Sequence, residues 1–172
     1  MDVHDRKTRS KNMRAIRSKS TKLETSVKKV LETLSLKMVE HPKNIPGNPD
    51  YFVSSLNIAI FCHGCFWHAH ECSLFKLPET QREFWAKKLR ENTVRDLKAI
   101  RLLSFSEIRV LIIWECAIKG KEKLPAPLLP VLLSTWINGK YQIGIINSKG
   151  LANYNAPDEV ICQTTKLLNT LR

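Results

Sequence analysis

The run Asp50-Tyr-Phe-Val-Ser-Ser-Leu-Asn-Ile-Ala-Ile-Phe61 leads directly into Cys62-His-Gly-Cys-Phe-Trp-His-Ala-His-Glu-Cys72. Its first half contains two β-prone segments, Tyr51-Phe-Val53 and Ile58-Ala-Ile-Phe61. The polar link Ser54-Ser55-Leu56-Asn57 between them is short enough for a hairpin. In such a hairpin Asp50, at the start of one strand, comes within a few residues of being opposite His63, at the end of the other. The second half therefore folds back onto a carboxylate. It carries three of the chain's five histidines and three of its five cysteines, with Phe66 and Trp67 among them. A single histidine there would read as a satisfied residue in a buried loop, but five candidate ligands between His63 and Cys72 call for chemistry.

Around this hairpin the pattern alternates between strand and helix. Leu23, Val27, Val30, Leu31 and Leu34 recur at helical spacing, and Thr21-Lys-Leu-Glu24 has the form of a capping box. Met38 to His41 reads as a short strand, followed by the breakers Pro42, Pro46, Gly47 and Pro49. A helix is expected over 80–103, broken near Asn92-Thr93, with Phe84, Leu89, Val94, Leu97 and Ile100 on its apolar side. Ile108 to Trp114 is a continuous apolar run punctuated by Arg109, the pattern of a buried central strand ending at Glu115-Cys116. Beyond a basic, proline-bearing linker, Leu128 to Ile137 reads as a short helix stopped by Asn138-Gly139. Tyr141 to Ile146 reads as an edge strand, 147–150 as a turn, and 159–171 as a terminal helix in which Cys162 is plain core. The chain is expected to be an α/β protein of one domain, since 172 residues with 43% hydrophobic content suffice for a single packed core.

Lys and Arg number 28 against 16 acids, a net charge of +12, which suits a polyanionic partner, nucleic acid above all. Residues 1–20 hold seven of these basic groups, Arg9, Lys11 and Arg14 included, and few large apolar ones. Such a segment reads either as a solvated terminus or as an arm that tracks DNA backbone and grooves. No apolar run is long enough for a membrane span, and Met-Asp-Val-His-Asp-Arg-Lys lacks a signal peptide's apolar segment. An intracellular protein without membrane contact is expected. In a reducing compartment, an odd number of cysteines clustered with histidines favours metal or free thiols over disulfides.

Three constellations carry chemistry. Cys65, His70 and Cys72, with Cys116 from the end of the central strand, make a Cys3His set suited to structural zinc, although spacing alone also admits His63 or His68. Asp50 with His63 and His68 offers a carboxylate for a hard cation and two imidazoles for acid–base work near neutral pH. Phe66, Trp67 and Trp85 stand among basic residues and can be either core or wedges that enter a DNA base step. Asp96 either orients His68, as triad sites orient their base, or is a helix-surface charge beside Arg95. Glu24 has an ordinary account as a helix cap.

Thr8-Arg-Ser-Lys-Asn-Met-Arg-Ala-Ile16, Pro46-Gly-Asn-Pro-Asp50, His63-Gly-Cys-Phe-Trp-His68, the series Lys88, Asn92, Arg95-Asp96, and Val110-Leu-Ile-Ile-Trp-Glu-Cys116 together closely resemble the very short patch repair mismatch endonucleases. The resemblance runs from about residue 2 to 137. It implies a restriction-endonuclease-like α/β fold of the PD-(D/E)xK type, a mixed sheet flanked by helices. It also implies a Mg2+-dependent nick 5′ to the T of a T·G mismatch left by deamination of 5-methylcytosine, in functional association with a cytosine-5 DNA methyltransferase. On this resemblance the chain divides into a basic arm (1–20), an endonuclease core (21–137) and an extension of the same domain (138–172). Asp50 becomes the Mg2+ carboxylate, helped by the backbone carbonyl of Cys62. His63 and His68 serve acid–base chemistry with Glu24 in support, and Cys65, His70, Cys72 and Cys116 hold structural zinc. Phe66, Trp67 and Trp85 wedge into DNA beside the mismatch, while the arm binds across the opposite groove. Cys62 stands where the family commonly has threonine, a change that a carbonyl ligand tolerates and a hydroxyl ligand does not. Ala69 stands where a further histidine can occur. A restriction-type duplex endonuclease and a zinc-stabilised DNA-binding module without catalysis are the competing readings. The second is motivated by Cys62 and by the lack of an obvious second carboxylate ligand.

Overall fold

The computed structural model describes residues 21–160. The basic arm with Arg9, Lys11 and Arg14, and the stretch 161–172 with Cys162 and most of the expected terminal helix, lie outside the described residues.

Helix α1 (Lys22–Thr33) starts at the expected capping box. The Glu24 amide donates to Thr21 Oγ1 at 3.2 Å, and the Thr21 amide donates to Glu24 Oε1 at 3.3 Å. Two otherwise orphaned donors are thereby satisfied. Leu23, Val27 and Leu31, one above another on a single helical face, are buried. The Tyr51 hydroxyl donates to the Glu24 carbonyl at 3.0 Å and so ties the first turn of α1 to the sheet.

The six strands β1 (Val39–Glu40), β2 (Tyr51–Val53), β3 (Ile58–His63), β4 (Arg109–Trp114), β5 (Ile143–Asn147) and β6 (Gly150–Tyr154) form one sheet in sequence order. Pairings β1–β2, β2–β3 and β5–β6 are antiparallel, and β3–β4 and β4–β5 are parallel. Helices α2 (Arg82–Phe105) and α3 (Leu128–Asn138) lie in the two parallel connections. Alternation along the strands assigns the layers. Ile58, Ile60, Leu111 and Ile113 pack with α1 and α3 on one face, whereas Ala59, Phe61, Val110 and Ile112 pack with Ile100 and Leu103 of α2 on the other. The result is a mixed sheet flanked by helices.

Three expectations need correction. Helix α2 is continuous through Asn92-Thr93, because the Thr93 hydroxyl bonds back to the Leu89 carbonyl and the Asn92 amide is used outside the helix. Phe84 and Val94 do not belong to its buried side and are 57% and 39% exposed. The strand near 141–146 is not an edge: it begins at Ile143 and is covered by β6, which reads weakly as a strand because Gly150 and Asn153 are poor strand formers in a run of only five residues. The chain is helical again at 157–160. Among the described residues no helix is long and apolar enough to cross a membrane.

The Pro46–Asp50 loop is set by Gly47, which has φ +80° and brings its Cα against α2. A Cβ at this position would lie 2.6 Å from the Ala99 Cβ and 3.2 Å from the Phe61 ring. Gly47→Ala is therefore expected to destabilise the fold by about 1–3 kcal/mol, read as a shift in the urea midpoint at unchanged m. Ala99→Gly should restore part of the loss.

Candidate active site and metal centres

The β2–β3 hairpin places the predicted carboxylate. Tyr51 pairs with Ile60, so Asp50 stands beside the last residues of β3, and its Oδ2 accepts the Cys62 amide at 2.6 Å. Burial is the main cause that lifts the Asp50 carboxyl from an ordinary 3.8 to about 6; the Cys62 amide opposes the rise and the Glu24 carboxylate adds to it. Glu24, 5% exposed, reaches this point from α1, so its capping bond does not exhaust its role. The structure adds His41, which sequence reasoning did not single out. Its Nε2 lies 3.8 Å from Glu24 Oε2 and its Nδ1 lies 3.9 Å from Asp50 Oδ1. The pairing of 38–41 with 50–53 was the available signal, since it sets His41 next to Asp50.

His63, one residue past Cys62, turns to the opposite face of the sheet. Its ring stacks on His68 with centroids 3.8 Å apart and planes 5° apart. His68 Nδ1 meets Asp96 Oδ2 at 2.5 Å. Asp96 Oδ1 also lies 4.0 Å from the Arg95 guanidinium, so the structure places the carboxylate beside both groups named for it. Burial holds His63 well below the ordinary imidazole value of 6.5, with His68 and Arg95 adding to the effect. His63 is therefore neutral at physiological pH. A cavity of about 20 Å³, room for one water, is bordered by Gly47, His63, Arg95 and Asp96. The Asn92 side chain donates to the Trp67 carbonyl at 2.9 Å, fixing the loop that carries His68 against α2.

Cys65, His70, Cys72 and Cys116 bring their ligand atoms within 4.8 Å of one another. His70 Nδ1 lies 3.6 Å from both Cys65 Sγ and Cys116 Sγ. Tetrahedral zinc with ordinary Zn–S and Zn–N lengths separates sulfur and nitrogen ligands by about 3.6 Å, so the residues fit that ion. Neither His63 nor His68 belongs to this set. The side-chain hydrogen bond between Cys65 and Cys116 lowers Cys116 and raises Cys65, so the pair shares a proton in the absence of an ion. Trp114 stacks on His70 at 4.1 Å. The Cys62 thiol is separate from the cluster, and burial together with the Asp50 charge pushes it well up, so it is neutral.

Phe66, Trp67 and Trp85 form one half-buried aromatic group with ring centroids 5.2 to 6.1 Å apart. Exposed Phe84 extends this group, its ring 5.3 Å from Trp85. Its helical spacing fits the apolar side of α2, but that side turns away from the sheet before reaching it.

Paired imidazoles beside a carboxylate pair, on either side of one strand end, are groups of the kind that can take a proton from water and supply one to a leaving oxygen. Similarity to known proteins gives the family. The family model for DNA mismatch endonuclease Vsr matches residues 1–74. The DNA mismatch endonuclease Vsr of Escherichia coli (strain K12) is 43% identical over 150 residues, covering 87% of this chain and 96% of that protein. The type II nicking enzyme V.XorIIP of Xanthomonas oryzae pv. oryzae is 33% identical over 120 residues, 70% of this chain and 88% of that one. V.NmeAIP of Neisseria meningitidis serogroup A, also a type II nicking enzyme, is 34% identical over 120 residues, 70% and 86%. The chain belongs to the Vsr family of DNA mismatch endonucleases.

Proposed function

We propose that this endonuclease nicks duplex DNA 5′ to the T of a T·G mismatch arising from 5-methylcytosine deamination, and so initiates very short patch repair beside a cytosine-5 DNA methyltransferase. The observation that carries this reading is His68, held between Asp96 and His63 at the end of the strand whose Cys62 amide binds Asp50. The fold is of the restriction-endonuclease-like type, with 1–20 as DNA-binding arm, 21–137 as core and 138–172 as an extension. The protein works in the cytoplasm, at the nucleoid.

Asp50 and the Cys62 carbonyl would hold Mg2+, with Glu24 in support. When bound, the ion supplies Lewis-acid stabilisation of charge on the phosphate. His68 takes a proton from the attacking water at Nε2, and Asp96 at Nδ1 stabilises the imidazolium that results. Neutral His63 donates a hydrogen bond to the leaving 3′ oxygen. Stacked rings 3.8 Å apart favour one positive charge at a time, which separates the two roles. Phe66, Trp67 and Trp85 enter the stack beside the mismatch, and Arg9, Lys11 and Arg14 contact phosphates across the opposite groove. The Cys3His cluster takes zinc and fixes the loop bearing these groups.

The test is incubation of the full chain and Mg2+ with duplexes that carry one T·G pair, or the matched C·G pair, in varied flanks, with nicks mapped on a sequencing gel. Nicks confined to the 5′ side of the mismatched T are expected. Cutting of matched duplex would replace this reading with the restriction-type one. Binding without cutting would replace it with a zinc-stabilised module.

A further inference from the structure

We infer that His41 joins Glu24 and Asp50 in a mixed nitrogen–oxygen cation site that prefers Mn2+ to Mg2+. The inference rests on the reading of Asp50 as a metal carboxylate and adds the ion that this chain's own residues select.

The three side chains come from three elements, α1, the end of β1 and the start of β2, and their ligand atoms lie within 4.8 Å of one another. The imidazole nitrogens are 3.8 and 3.9 Å from the two carboxylates, beyond hydrogen-bond reach. Ligands about 2.1 Å from an octahedral ion are about 3.0 Å apart when adjacent and about 4.2 Å apart when opposite. Each of the two distances uses a different ring nitrogen, so one ion takes one of these nitrogens with one oxygen from Glu24 and one from Asp50, and these three atoms, within 4.8 Å of one another, close on it by small side-chain rotations. Glu24 and Asp50 bring two carboxylates into this one cluster, and a cation between them offsets their mutual repulsion.

His41 is held in position at a conformational cost. Its φ is +46°, in the left-handed region, and its amide donates to the Asp50 carbonyl at 2.9 Å. That bond ties the backbone of one ligand to the backbone of another. Left-handed conformations in residues other than glycine cost on the order of 1 kcal/mol or more and persist where surrounding structure enforces them. The side chain is 31% exposed, so an ion can reach it. Mg2+ takes oxygen ligands and retains its waters, whereas imidazole suits transition-metal ions, among which Mn2+ accepts carboxylates equally well. One imidazole added to two carboxylates therefore shifts preference toward Mn2+.

The experiment uses the full chain with its thiolate cluster loaded with zinc. Mn2+ binding is read from loss of the free-ion EPR signal, Mg2+ by competition, and nitrogen ligation from 14N modulation in the pulsed EPR of bound Mn2+. His41→Gln should weaken Mn2+ by about 10-fold or more, leave Mg2+ nearly unchanged and abolish the 14N modulation. Absence of modulation in the wild type, its survival in His41→Gln, or equal loss of both ions would overturn the inference. Asp50→Asn separates the two levels. If it releases both ions while His41→Gln changes neither, only the His41 assignment fails. If it releases neither, the reading of Asp50 fails first.

Discussion

Asp50→Asn is expected to give a protein that is more stable than the wild type at pH 8 and does not nick DNA. The Asn side chain keeps an oxygen for the Cys62 amide, so the hairpin geometry survives. What disappears is a buried charge. The carboxyl has a folded value of about 6 against an ordinary 3.8, so its ionised form is disfavoured in the folded state. For an acid with a raised folded value the sign is destabilising. The cost is fully present above pH 6, shrinks as pH falls from 6 to 4, and is absent below 4. The difference corresponds to about 3 kcal/mol at most, and to about 1–2 kcal/mol once the partial exposure of the side chain is allowed for. The stability advantage of Asp50→Asn, measured by urea unfolding in the absence of divalent ions, should therefore be present at pH 8 and vanish near pH 4. Nicking should fall about 1,000-fold, the equivalent of several kcal/mol of transition-state stabilisation. An equally stable variant at pH 8, or one that still nicks, would remove Asp50 from the centre of the mechanism.

Much of this arrangement was legible because it is local in sequence. The hairpin that brings Asp50 to the end of β3 follows from two β-prone runs and a four-residue link, and the capping box of α1 follows from Thr21 and Glu24. The ligand cluster lies within 65–72 apart from Cys116, which the apolar run of β4 carries to the same end of the sheet. His41 was missed because its signal depends on strand pairing. The strand at 38–41 was legible, but His41 becomes a neighbour of Asp50 only when β1 pairs with β2, and with just two residues, both exposed, β1 has no apolar alternation to fix that partner or its register. The misassignment of Phe84 and Val94 has the same origin. Helical spacing identifies a stripe, but α2 is 24 residues long and packs on the sheet chiefly through its second half, where Ala99, Ile100 and Leu103 are buried. Its first half faces the aromatic and histidine loop instead, through Leu89, Asn92 and Thr93.

That division of α2 makes the thiolate cluster the support of the active site, and loss of the cluster has the second large expected effect. Cys65 and Cys116 are 51 residues apart in sequence, yet the Cys116 amide donates to Cys65 Sγ at 3.3 Å, so a shared ion would close a long loop. Closing a loop of that length restricts the unfolded chain by about 4 kcal/mol in the chain-entropy account. Cys116→Ser, or chelation of the ion, is therefore expected to lower Tm by roughly 10 °C, with the zinc stoichiometry falling from one per chain toward zero. Cys62→Ser should keep its zinc, since the Cys62 thiol lies on the Asp50 side of the strand and takes no part in the cluster. The loss should reach chemistry by a definite route. The loop that the cluster anchors carries His68 to Asp96 and Trp67 to Asn92, so releasing it frees the proposed base and the proposed wedge together. Asp50, Glu24 and the sheet, held by their own core, should stay in place. Cys116→Ser should accordingly lose nicking while retaining far-UV circular dichroism close to that of the wild type. If the wild type instead carried no zinc and Cys116→Ser kept its Tm, the cluster would be a group of free thiols, and the placement of His68 would have to come from the Asn92–Trp67 and Asp96 contacts alone.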